Sequence, residues 1–297
     1  MRALELESKW DFRDRQSPLT IRHHAVAIYN LKRFVDAGGL LWPYDVRAGS
    51  VSGPKSRPGP KGAGWIYNLN STRGGNSWNP SLEDWLAREI DSPGAVLLER
   101  LLTVGLPDVG HREKFAEVMN AQMTRTPQGY AFLGETAPDL VALTRDELRE
   151  RVRNVLETGR VEASALMGGT WTLLRPPLGR SFVVSDNPVT SRAYHWPEGA
   201  ANSVPLVVTR ERGATIAPQV TWPLTPDGCL ELKLGPARWH GERTLSVGEL
   251  LEINLRTAIS ADRWVWGNAE GAVRNVHDEL TSRGLSPRSP QVGDWPR

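Results

Sequence analysis

The chain has 297 residues, with 36 Lys plus Arg against 34 Asp plus Glu, 39% apolar residues, one cysteine and 12 tryptophans. Such a length and apolar share build a sizeable core, which excludes disorder throughout. The lone Cys229 excludes an intramolecular disulfide and any zinc site needing two thiolates, and no run of 18 apolar residues occurs, so the expectation is a soluble, cytoplasmic protein with no membrane partner.

In chain order, residues 1–17 are charged without a clear period and have no apolar leader segment; they are expected to form an N-terminal arm. From Thr20, His24, Ile28, Leu31 and Val35 fall at helical spacing and Gly38-Gly39 supplies a stop, which predicts a helix. Leu40 to Tyr44 then read as a short strand ending at Asp45. Residues 47–64 carry Gly, Ser and Pro with four cations and no anion, the pattern of a mobile basic loop. Trp65, Ile66 and Tyr67 return as a strand. Ser81 is placed to cap the helix SLEDWLAREI, and Pro93 is expected to break or kink it before AVLLERLL. A further helix is predicted over 111–123, with Phe115, Val118, Met119 and Gln122 on one face. Thr144 with Glu147 makes a capping box for another, closed by Gly159.

Beyond residue 170 the texture changes to short β-prone runs, TWTLL, SFVVS, SVPLVV, ATIAP and CLELKL, separated by Pro, Gly and Asn. Ser246 with Glu249 forms a second capping box for a helix over SVGELLEINLRTAIS, and WVW at 264–266 reads as a closing strand. Residues 278–297 are polar and proline-bearing, as in a loosely held C-terminal tail. Early helices and late strands predict an α+β fold, a mainly helical N-terminal half packed on a mostly antiparallel sheet from the C-terminal half, within a single domain over 18–277. GxGxxG after a strand, Walker, HExxH and GxSxG motifs are absent, which removes the usual support for nucleotide-fold, zinc-protease and α/β-hydrolase readings.

The segment HHAVAIYNLKRFVDAGGLLWPYD at 23–45 resembles the opening motif of the bacterial family catalogued as domain of unknown function 4238, His-His, a hydrophobic residue, Val-Pro, then Tyr-Leu and Phe, and a strand ending in Tyr-Asp. The similarity continues in Trp65-Ile66-Tyr67, the helix from Ser81 to Leu102 with Glu83 and Glu89, Arg125-Thr126-Pro127, Ser185-Asp186-Asn187-Pro188-Val189, Pro223-Leu224-Thr225-Pro226 and the helix end from Asn254 to Asp262. It covers roughly residues 20–268 and implies a set of positions without a reaction. Ala27 stands where the family motif has proline.

Candidate chemistry gathers at these positions. A histidine titrates near neutral pH and serves as acid or base there. His24 shares spacing with Ile28, Leu31 and Val35, so it is the expected core histidine, and His23 is the freer candidate for proton transfer. Asp186 either satisfies its own backbone in an Asx-type turn or orients a histidine. Arg125, ahead of Thr-Pro, reads as exposed, and either neutralises the end of the preceding helix or holds an anionic group by a fork contact. The excess of Arg over Lys elsewhere is put down to a GC-rich genome. Asp45, Glu83, Asn187 and Trp65 are the substrate-side candidates; Glu83 and Glu89, six apart, do not share a helical face. The remaining histidines have no metal-ligand spacing, so no metal site is expected. The resulting expectation is a hydrolase with a pocket between helices and sheet, a metal-independent phosphodiesterase or nuclease, in which His23 or His24, Asp186 and Arg125 act on an anionic or nucleic-acid substrate. The alternative is a non-enzymatic nucleic-acid or protein-binding module whose His and Asp motifs are structural. Cofactor use and oligomeric state are left open.

Overall fold

The computed structural model describes residues 22–67, 69–70, 72–74, 77–79, 81–129, 154, 166–167, 169–192, 219–234 and 238–285. Apart from Asn154, the predicted helix at 144–159 lies outside them, as do the runs SVPLVV and ATIAP and the N-terminal arm. The α+β class holds, and the order of helices before sheet holds roughly: the largest sheet is late, but short strands precede the early helices and two helices follow that sheet.

The segment predicted as one helix from Thr20 divides into strand β1 (Arg22–His24) and a short helix α1 (Ile28–Leu31). Tertiary pairing decides this. Strand β1 runs antiparallel to β4 (Trp65–Tyr67), and the Ala25 and Val26 amides both bond to the Gly64 carbonyl. Alternation along a strand sends neighbouring side chains to opposite faces, so His23 is fully buried and His24 half-buried, the reverse of the order that helical spacing implies. Strand β2 (Trp42–Asp45) ends where expected. The basic segment 47–64 contains β3 (Ser50–Val51) and two 3-10 turns, at Pro54–Ser56 and Pro60–Gly62. Its Arg57 pairs with Asp36 and lies 4.3 Å over the Trp42 ring.

A hairpin of β5 (Thr72–Gly74) and β6 (Ser77–Asn79) leads into α2 (Ser81–Trp85), a π-helical segment (Leu86–Asp91) and α3 (Ser92–Val104), then α4 (Val109–Thr124). Helices α3 and α4 cover one face of a five-stranded sheet ordered β12 (Arg238–Thr244), β7 (Gly169–Arg175), β11 (Gly228–Leu234), β10 (Gln219–Thr225), β9 (Thr190–Arg192). It is antiparallel except for the β12–β7 pair. Leu97, Leu98, Leu101 and Phe115 meet Trp171 and Trp222 there, with the Phe115 ring 5.4 Å from Trp222.

A second, four-stranded antiparallel sheet takes β2 and β3 from the N-terminal half and sets them beside β13 (Trp264–Gly267) and β8 (Val184–Ser185). It is packed by α5 (Val247–Ile259), which opens on the predicted Ser246–Glu249 capping box, and by α6 (Glu270–Ser282). Helix α6 runs on to Ser282, into the stretch read as tail, because Val273, Val276 and Leu280 supply a buried stripe. Among the described residues no helix is long and apolar enough to cross a membrane.

Candidate functional site

Pro93 shapes the site before any charged group does. A proline inside a helix donates no N–H and crowds the preceding turn. The helix from Ser81 to Val104 absorbs this by widening: the Ser92 N–H reaches the Ala87 carbonyl, five residues back. Such single π turns recur at functional sites. Leu82, Leu86 and Ile90 stay in the core, Glu89 is exposed, and Glu83 and Asp91 are left only 28% and 29% exposed at one edge.

Glu83 is held by its neighbours. The Asn70 side-chain amide donates to its Oε2 at 2.6 Å, and the His24 backbone also bonds to it. Burial raises its pKa from the ordinary glutamate value, against the pull of Asn70 and Arg125. The Asn70 backbone N–H in turn donates to His23 Nδ1 at 2.8 Å. That nitrogen therefore carries a lone pair, and the neutral ring bears its proton on Nε2. The 3.9 Å separation of His23 Nδ1 from Glu83 Oε2 is accordingly proximity and not an ion pair.

Arg125, expected at the surface, is 2% exposed. As the C-cap of α4 its side chain turns inward, where Nη1 donates to Asp91 Oδ1 and Nη2 to Gln122 Oε1, both at 2.8 Å. Burial opposes its charge, but Asp91, Tyr29 and Glu83 restore it. Gln122 also donates to the Ala25 carbonyl at 2.7 Å and accepts the Ala27 N–H at 3.2 Å, tying the chain after His23-His24 to the arginine. Tyr29 completes the cluster with its hydroxyl pressed on α3: a Cβ at Gly94 would lie 2.8 Å from Oη and 2.9 Å from Val118 Cγ1. Helix propensity favours alanine over glycine by about 1 kcal/mol. Sterics win here, and Gly94→Ala is expected to destabilise the fold by about 1–3 kcal/mol in thermal denaturation.

Asp186 and Asp45 sit at a different place. Asp186 Oδ1 accepts the Asp262 N–H at 2.8 Å, and Oδ2 accepts those of Arg263 at 2.8 Å and Trp264 at 2.9 Å. Its contacts are to this turn and not to His23, His24 or Arg125. Asp45 accepts the Arg47 and Ala48 amides at 3.0 Å and pairs with Arg263 at 2.8 Å. Asn187 donates to Gln128 Oε1 and the Ser260 carbonyl, both at 3.1 Å, and accepts Thr126 Oγ1 at 3.3 Å, a bridge from the Ser-Asp-x-Pro turn to the Arg-Thr-Pro element. Trp65 is half-buried, donates to the Gly62 carbonyl at 3.0 Å and stands opposite His24 across β1 and β4.

His23, Glu83 and Arg125 thus share one cluster, joined by Asn70, Asp91, Gln122 and Tyr29, which sequence reasoning did not single out as site residues. Gln122 had a signal, a polar residue on an otherwise apolar helical face. Among the described residues no group of three or more His, Cys, Asp and Glu is placed to hold a metal ion. Residues 22–271 match a family described as Protein of unknown function (DUF4238). No curated protein and no solved structure matches the chain.

Proposed function

The chain belongs to the family described as Protein of unknown function (DUF4238), and from the cluster around Glu83 we propose that it is a hydrolase of an anionic, phosphodiester-type substrate. The observation that carries this reading is the seat of Glu83: a partly exposed carboxyl with a raised pKa, wired through Asn70 to buried His23 and lying in the field of Arg125. A general base works best when its pKa lies near the working pH, and burial moves Glu83 in that direction. In the proposed reaction Glu83 takes a proton from the attacking water. Arg125, buried and charged, steadies negative charge on the substrate. His23 and Asn70 act as positioning residues, since Nδ1 of His23 already accepts the Asn70 amide.

The test is incubation of the purified full chain with labelled RNA and DNA beside Glu83→Gln. The expected result is cleavage by the wild type and a loss of about 100-fold in the variant, the lower end of what a positioned general base contributes. Intact substrates in both, or equal cleavage, would reject the mechanism. The binding-module reading is favoured by one observation, that Asp45, Asp186 and Asn187 spend their hydrogen bonds within the fold. It predicts retention of nucleic acid that falls steeply with salt, without cleavage.

A further inference from the structure

The basic segment at 47–64 carries charge that the fold balances only in part. From Ile28 to Gly64 the chain has six cations and two acids. Arg33 pairs with Glu99, Arg47 with Asp262 and Arg57 with Asp36, while Asp45 is answered from outside by Arg263. Both acids of the stretch are thus neutralised. Lys32, Lys55 and Lys61 are what remains, exposed and in no ion pair among the described residues.

Two of these lysines are presented alike. Gly53-Pro54-Lys55 and Gly59-Pro60-Lys61 repeat one tripeptide, and each opens a 3-10 turn behind a glycine at nearly the same angles, φ −71° and ψ 169° against φ −76° and ψ 170°. Proline fixes φ at the first helical position. The Ser56 amide closes the first turn on the Gly53 carbonyl at 3.0 Å, and the Gly62 amide closes the second on the Gly59 carbonyl at 2.8 Å. Between them the Pro58 carbonyl accepts the Leu41 N–H at 2.9 Å, which ties the pair of turns to the body. Lys32 joins them, because it caps α1 and α1 packs on the second turn. Trp65 borders that turn too. Its indole N–H is spent on the Gly62 carbonyl at 3.0 Å, so what the partly exposed residue has to offer is its ring. Trp42 offers none, since Arg57 already lies over it.

We propose that this face binds single-stranded nucleic acid, with Lys32, Lys55 and Lys61 against backbone phosphates and a base stacked on Trp65. Unpaired cations beside an aromatic ring hold a strand without reading its sequence. A membrane surface fits less well. Segments that seat on lipid bury apolar side chains beside their cations, whereas the large exposed apolar residues described, such as Leu178 and Val247, lie outside Ile28 to Gly64. Trp65 stands opposite His24, whose backbone bonds to Glu83, so a strand on this face runs toward the candidate carboxyl. In that direction alone the inference rests on the hydrolase reading above.

The test is fluorescence anisotropy of the full chain with end-labelled oligo(dT) of about 20 nucleotides, long enough for one such site. Three phosphate contacts to a single strand give a slope of about −2 in log affinity against log salt, a loss of roughly 20-fold between about 50 and about 200 mM. Replacing Lys32, Lys55 and Lys61 together by Gln should take about 2 out of the slope and leave the melting temperature unchanged, because all three are exposed. Trp65→Leu should weaken binding by roughly fivefold or more and keep the slope. Trp65→Phe keeps a ring and should recover part of that loss. A triple variant with the wild-type slope would overturn the lysine assignment, and full affinity in Trp65→Leu would overturn the stacking. Equal affinity for duplex DNA, or retention on phosphatidylserine vesicles without affinity for oligo(dT), would overturn the partner class. Failure of the two readings is separable. Wild-type protein that binds oligo(dT) through these lysines but cleaves nothing sinks the hydrolase reading alone, whereas cleavage without lysine-dependent binding sinks this surface alone.

Discussion

Asp186→Ala is expected to lower the unfolding free energy by about 3 kcal/mol, because three part-buried amides lose their acceptor at once and an unmet donor costs about 1–3 kcal/mol when fully buried. For a domain of this size, that is a fall of roughly 5 °C in melting temperature. The three amides, of Asp262, Arg263 and Trp264, form the turn between α5 and β13. The Asp186 amide itself bonds to the Trp264 carbonyl. Losing the carboxylate therefore loosens β13, one of the two inner strands of the four-stranded sheet. The same residue carries a pH signature. Burial and the Asp262 charge push its carboxyl up to about 7, against the three amides. An unfolded aspartate titrates near about 3.9, so between those values the folded chain binds the extra proton, and the contribution to stability falls as pH rises from about 4 to about 7. Asp186→Asn removes that slope. The stability gap between wild type and Asp186→Asn should be wider at pH 5 than at pH 8 in urea titrations. A gap that widens toward high pH would mean the amides hold the carboxyl low instead.

The elements legible in the sequence are those settled within a few residues. Ser246 and Glu249 satisfy each other's backbone, so the start of α5 is written locally. Trp264 to Trp266 and Thr170 to Leu174 are short β-prone runs and form strands. The His-His segment fails for the opposite reason. His24, Ile28, Leu31 and Val35 fit a helical face, but β1 is created by pairing with residues beyond the basic segment, and no local pattern announces that partner. Arg125 fails for a related reason: its neighbours describe a helix end, and although Gln122 lies one turn back on the same helix, the charge that lets the guanidinium be buried comes from Asp91 on the preceding helical segment. Pro93 was a true signal of irregularity, expressed as a widened turn and not as a break.

The departure at Ala27 also becomes intelligible. Its φ of −54° suits a proline. Alanine keeps that conformation and adds an N–H, which Gln122 Oε1 accepts beside the Arg125 guanidinium. Gln122 thus holds the chain after His23-His24 and the arginine through one oxygen.

That hold makes the Arg125 to Asp91 pair the second place where a single change is expected to cost most. Asp91→Ala leaves a fully buried guanidinium without its counter-charge, and breaking one side of a buried pair typically costs about 3–5 kcal/mol. Arg125→Met should cost less, because Asp91 lies at the partly exposed edge and can turn to water, and methionine refills part of the volume. The double variant Asp91→Ala with Arg125→Met is expected to be more stable than Asp91→Ala alone, since the stranded charge is gone. Denaturant midpoints of the four proteins measure this coupling. A double variant whose loss equals the sum of the singles would mean that the pair is solvated and contributes packing only. The same cycle reports on the site. Arg125 pulls the Glu83 pKa down, so Arg125→Met should raise it further and move the acid limb of any Glu83-dependent activity to higher pH. An unshifted limb would place Glu83 outside the field of the arginine and remove the charge coupling on which the proposed chemistry depends.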